Sequence, residues 1–167
     1  MSHPILGQIA MAYCPVIDRS RAVTATRLTV FPLRPDATLD AQELLAALGE
    51  TWPAGGSQLW IRISHEQLLE SVMEAQPATH VALEVPAFMA VQPHHVSMLQ
   101  TLHANGNPLL LHGRPVGELP KALLPAFTHA LIDLGDDHRL DETSGRSEEH
   151  TSDSSHGYIS YAVFCLK

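Results

Sequence analysis

The sequence predicts an α/β fold with a largely parallel sheet, because short apolar runs alternate with segments of helical periodicity. The runs are rich in β-branched residues and too short to be buried helices. The chain has 167 residues, enough for one domain with a sizeable core, and it is 45% hydrophobic and 17% charged. This composition is typical of globular chains and not of disordered ones.

Six strands are expected before the polar sequence near the end of the chain. They are predicted at residues 8–17, 23–33, 59–63, 80–85, 109–111 and 130–134. The first two are separated only by residues 18–21, so they are expected to form a hairpin. Helical patterns are predicted between the later strands.

The helix ends are predicted from capping residues. The helix at residues 39–48 is followed by Gly49, which suits the position just after a helix. Ser64 and Gln67 have the spacing of a capping box at the start of the next helix. A third helix is predicted to open near Pro93 and to end at Gly106, and a short fourth lies at residues 119–127.

Charge and composition exclude several classes of function. The formal net charge of −8 argues against binding a nucleic-acid polymer and leaves only a small local anion site to consider. No apolar run approaches the length that crosses a bilayer, and the start lacks the features of a signal peptide. A cytoplasmic protein without membrane contact is therefore expected. The two cysteines provide neither a disulfide framework nor a cysteine metal motif.

The histidines do not have metal-ligand spacing. His65 and Glu66 begin a segment that lacks the second histidine of the H-E-x-x-H motif. His94 and His95 are expected on different faces of their helix, and His112 is isolated. No metal and no other cofactor are predicted.

The last 22 residues differ from the rest of the chain. Residues 146–167 crowd Ser, Glu, His and Asp together and then end in an aromatic, β-branched run. One interpretation is a polar linker with a terminal strand. The favoured one is that both ends of this segment, in order, match the translation of a sequencing-library adapter. On that interpretation residues 146–167 are artefactual, should make few contacts, and the true C-terminus is missing.

Several motifs in order resemble one bacterial family. Residues 13–19 (YCPVIDR) resemble the opening of EAL domains, the cyclic-di-GMP phosphodiesterase family, and similar matches follow at residues 60–64, 83–86 and 130–133. The chain is most similar to degenerate EAL domains fused to HDOD domains. The resemblance implies a TIM-like barrel whose first strand pair is a hairpin. With about six strands the barrel would be incomplete: residues 1–140 form the domain's N-terminal part, and residues 141–145 are an uncertain junction.

The resemblance also implies a site in which most functional residues are replaced. Family enzymes hold two divalent metals with carboxylates and an Asn, which suit hard cations. The signature Glu falls on Arg27 and the Asn falls on Arg62, both cations, whereas Glu84 matches one metal-binding Glu. The resemblance therefore implies no catalytic residue and no working metal site.

Two later family positions are degenerate as well. The paired aspartates fall near His112 and Gly113. The lysine falls on Leu131, which leaves Asp133 as a partial match.

The arginines have two interpretations. The first, which we favour, is structural: Arg27, Arg62 and Arg114 lie at strand ends and pair with acids, with Arg62 as the expected partner of Glu84. The second is an anion-binding site at the barrel mouth, because guanidinium groups bind phosphates in two-point contacts.

The function expected from these patterns is that of a non-catalytic EAL-like signalling or regulatory domain fragment. It would act through protein interaction, with an HDOD domain as the partner that the resemblance implies. The alternative is a degenerate receptor that still binds a cyclic dinucleotide. An active phosphodiesterase ranks last.

Overall fold

The chain folds around one mixed sheet with helices between its strands. The computed structural model describes residues 3–52, 54–133 and 161–165. The strands are β1 (Ile9–Ile17), β2 (Val23–Pro32), β3 (Gln58–Ile63), β4 (Val81–Pro86), β5 (Leu109–His112), β6 (Phe127–Asp133) and β7 (Tyr161–Cys165). The helices are α1 (Ala41–Thr51), α2 (Glu66–Ala75), α3 (Ala87–Ala90) and α4 (Pro93–Ala104), with 3-10 helices at Pro4–Gly7 and Lys121–Ala126.

The strands lie side by side in the order in which they occur along the chain, from β1 to β7. β1 and β2 form the expected antiparallel hairpin, β2 to β6 are parallel, and β7 is antiparallel to β6. The α/β class and the six strands predicted before residue 140 are thus confirmed. Among the residues that the structure describes, the linear order leaves β1 and β7 as edges, so this sheet does not close.

One face of the sheet is covered by helices. A large cluster joins Leu44 of α1, Leu68 of α2 and Leu99 of α4 to strand residues such as Leu59 and Leu83. The other face has a small cluster supplied by strands, Ala25, Trp60, Ala82, Leu110 and Leu131. Parallel strands added in one direction with crossovers of one hand place their helices on one side. No helix among the described residues is long and apolar enough to cross a bilayer.

The structure changes two predicted helix ends. The carboxylate of Asp40 accepts hydrogen bonds from the backbone N–H groups of Gln42 and Glu43, so α1 is capped as expected of an aspartate. However, α1 continues through Gly49 to Thr51. The predicted capping box at Ser64 is also wrong, because the cap is His65, whose Nδ1 accepts a 3.1 Å hydrogen bond from Leu68 N–H.

The expectation that residues 146–167 make few contacts is wrong for β7. Its five residues pair in register with β6, from His129 opposite Cys165 to Asp133 opposite Tyr161. The strand lies at the edge of the sheet and not in its centre. β7 thus covers the edge of β6 that β5 does not pair with. The adapter origin of this segment concerns its source and stays a prediction.

Candidate functional site

A cavity of about 530 Å³ lies at the C-terminal ends of three parallel strands. Arg62 and Ile63 border it from β3, Glu84 and Pro86 from β4, and His112 from β5. This volume lies within the range of small-molecule sites, and the carboxyl ends of parallel strands are where such sites form in α/β sheets. The cavity is therefore the candidate functional site.

Successive side chains of a strand point to opposite faces of the sheet. This alternation explains which side chains lie on the face opposite the helices at this end of the strands. Ile61 and Ile63 belong to the large core beneath the helices, so Arg62 between them lies on the opposite face. The same alternation places Glu84 between Leu83 and Val85, which also belong to that core. The side chains of Arg62 and Glu84, on the neighbouring strands β3 and β4, therefore lie on the face opposite the helices.

A buried ion pair joins two of the predicted site residues. Arg27 of β2 and Glu84 of β4 are 4% and 1% exposed. Arg27 Nε donates to Glu84 Oε1, and Arg27 Nη2 donates to Glu84 Oε2 over 2.8 Å. Both carboxylate oxygens are thus bound by one guanidinium, the two-point contact that arginine geometry favours. The prediction that Arg62 is the partner of Glu84 was therefore incomplete.

The other predicted residues surround His112. Burial and then the charge of Arg62 lower the pKa of His112, whereas Glu84 raises it to a smaller extent. Arg27 also lowers this pKa and Asp133 raises it, so all four predicted residues act on one imidazole. Burial is the largest cause of the shift, and the two arginines and the two acids act on it in opposite directions.

A turn after β5 brings a second arginine to the cavity. Gly113 has a φ of 83°, a conformation that side chains with a Cβ rarely adopt, and its N–H donates to Leu131 O over 2.9 Å. The next residue, Arg114, lines the cavity together with Arg62. Arg62 and Arg114 thus line one cavity, whereas Arg27, the third arginine of the alternative anion-site interpretation, is not among its lining residues.

Sequence reasoning missed the walls of this cavity. Phe88 and Met89 line it from α3, and Ser64, His65 and Glu66 line it from the start of α2. A helix of four residues gives almost no periodic signal, so α3 could not have been found from its pattern.

His95 is buried and His94 is exposed, so the two residues lie on different faces of α4 as expected. Their rings are nevertheless in contact, with centroids 3.9 Å apart. Together with Glu70 of α2 they form a group whose ligand atoms all lie within 4.8 Å of one another. This group lies outside the set of residues that line the cavity.

The comparisons with known proteins do not add to this description. The chain matches no family model, no curated protein and no solved structure. The fold is that of an α/β domain with a cavity at the carboxyl ends of its strands.

Proposed function

We propose that the chain is a non-catalytic, EAL-like regulatory domain that acts by binding another protein. The main support for the absence of catalysis is the ion pair between Arg27 and Glu84. The TIM-like barrel belongs to the same proposal. It is supported by the hairpin at the start, the strand order that follows the chain, and the helices on one face.

The ion pair supports a loss of metal-dependent chemistry. Divalent metals that activate water in phosphodiesterases need several oxygen ligands held together. Glu84 is the one family ligand that the resemblance transfers, and both of its oxygens are bound by Arg27. A guanidinium thus supplies, in permanent form, the positive charge that a metal would supply. Arg62 adds a second cation at the same strand ends.

The first edge of the sheet supports the protein interaction. β1 is nine residues long, and all but Ile9 and Val16 are exposed. Met11 and Tyr13 are 47% and 81% exposed and lie in phase on one face. The strand has an unpaired backbone side because β2 is its sole neighbour in the described sheet. A long apolar edge is a template for pairing with a strand of another chain.

Catalysis is tested with cyclic-di-GMP in the presence of Mg²⁺ or Mn²⁺. We expect no hydrolysis above a metal-free blank, because the metal ligands are replaced. The variant Arg27→Glu should not recover activity, since Arg62, His112 and Leu131 still replace other family residues. Circular dichroism must first show that this variant is folded. Turnover by the unchanged chain would contradict the proposal.

A second candidate function is binding of a cyclic dinucleotide without hydrolysis. The observation that favours it is the pair of arginines, Arg62 and Arg114, at one cavity of about 530 Å³. A cyclic dinucleotide carries two phosphates, and each arginine can bind one in a two-point contact.

Binding of labelled cyclic-di-GMP separates the two candidates. If the cavity is a receptor site, Arg62→Ala should weaken binding by about tenfold or more, the typical effect of losing a charge-assisted hydrogen bond. The matched control is Arg19→Ala, which removes an exposed arginine from the hairpin turn at the opposite end of β2. No binding, or equal loss in both variants, would leave protein interaction as the function.

A further inference from the structure

Two histidines and one glutamate meet where α2 and α4 pack together. Glu70 lies in the middle of α2, and His94 and His95 lie in the first turn of α4. One ligand atom from each lies within 4.8 Å of the other two. His95 is buried at 1% exposure, His94 is exposed, and the Glu70 side chain is 35% exposed. The group is thus anchored at one ligand and reachable from solvent at the other two.

The hydrogen bonds of His95 fix which ring nitrogen faces Glu70. Nδ1 lies 3.2 Å from the backbone oxygen of Met89, and a carbonyl oxygen only accepts, so Nδ1 carries a proton. Nε2 lies 2.6 Å from Oε1 of Glu70. The second ring nitrogen of His95 thus faces a carboxylate oxygen at hydrogen-bond distance.

The same arrangement is the one that metal-binding histidines use. Such a histidine commonly donates its other ring N–H to a carbonyl or carboxylate, which fixes the ring and leaves the second nitrogen for the metal. Met89 O provides that partner for His95. The buried ring is therefore oriented before any metal arrives.

We propose that Glu70, His94 and His95 form a binding site for a divalent transition metal, with zinc as the occupant. Two imidazoles and one carboxylate, with water in the fourth position, are a common zinc ligand set. Zinc–ligand distances of about 2.0–2.2 Å place ligand atoms about 3.3 Å apart in a tetrahedron. The contact between His95 Nε2 and Glu70 Oε1 opens from 2.6 Å on binding, and the exposed His94 ring moves inward.

The site would link two helices and one wall of the cavity. Glu70 belongs to α2, and the two histidines belong to α4. His95 also holds the backbone of Met89, which lines the cavity. A histidine nitrogen binds zinc only when it carries no proton, so zinc binding should weaken in acid. This proposal does not depend on the proposed function, because none of the three ligands lines the cavity.

Competition with a chromogenic zinc chelator tests the proposal on the full chain without a histidine tag. We expect one zinc per chain. His94→Ala and Glu70→Gln should each weaken binding by about 100-fold or more, since loss of second-shell partners alone costs about 10–100-fold. Both side chains are partly or fully exposed, so these variants should fold, which circular dichroism checks.

The matched control is His103→Ala, because His103 is exposed on the same helix and lies outside the cluster. It should bind zinc as the unchanged chain does, which matters in a protein with 11 histidines. Zinc at about 100 times its Kd should also raise the Tm by about 5–10 °C, and Glu70→Gln should lose that shift. No binding, or equal binding by all variants, would overturn the proposal.

Discussion

Replacing Glu84 with glutamine should lower the free energy of unfolding by about 3–5 kcal/mol, because a buried charge then loses its counter-ion. Arg27 is 4% exposed, so water can hydrate little of its guanidinium in place of the lost carboxylate. Arg27→Met should cost a similar amount, since it leaves Glu84 charged and 1% exposed. Urea denaturation followed by circular dichroism measures both changes.

The double variant separates the ion pair from the packing of the two side chains. Arg27→Met combined with Glu84→Leu removes both charges, and it should be much less destabilised than the sum of the single variants. The control is Glu74→Gln on the exposed side of α2, where we expect a change within about 0.5 kcal/mol. A loss below about 1 kcal/mol for Glu84→Gln would show that the pair is not the buried contact described.

Lysines at Met11 and Tyr13 should abolish the pairing of β1 with other chains. Both side chains are exposed, so the double variant Met11→Lys, Tyr13→Lys should leave the core intact. Charged residues on an edge strand prevent pairing because a bound strand would have to desolvate them. Light scattering should show less self-association than in the unchanged chain. Binding to an HDOD domain supplied as a separate chain should fall at least tenfold.

The control for this variant is Leu124→Lys, which places a charge at another exposed apolar residue, far from β1 in sequence. It should leave both measurements unchanged. If it has the same effect as the double variant, general solubility explains the result. If neither variant changes association, β1 is not the interaction surface.

The sequence was sufficient for the strands and for the kind of residues at the site. The strands β1 to β6 were identified by alternating or continuous apolar runs. Successive side chains of a strand point to opposite faces, so burial of one face gives alternation and burial of both faces gives a continuous apolar run. Arg62 and Arg114 were recognised because they lie at predicted strand ends, and Glu84 was recognised through the resemblance to EAL domains. The partner of Glu84 was harder, because Arg27 is 57 residues away and a slip of one residue moves a side chain to the other face.

The contacts that were missed depend on helix packing and on backbone pairing. Glu70 and His95 meet because α2 and α4 pack side by side, and no local pattern encodes the rotation of one helix against another. For β7, a terminal strand was one of the two interpretations of the last residues, and the other was favoured. Its pairing with β6 uses backbone groups, which any segment of high β propensity can supply, whatever the origin of its sequence.

The strand order has a consequence for how the domain is made. Every strand from β2 onward pairs with the strand that precedes it in the chain. During synthesis each new strand therefore meets a partner that has already left the ribosome, and no strand waits for one that has not been made. Pairing of neighbours in sequence keeps loop closure short, which favours rapid folding. The sheet can thus form one βα unit at a time, starting from the hairpin. Until β7 has been synthesised, β6 is the last strand of the sheet.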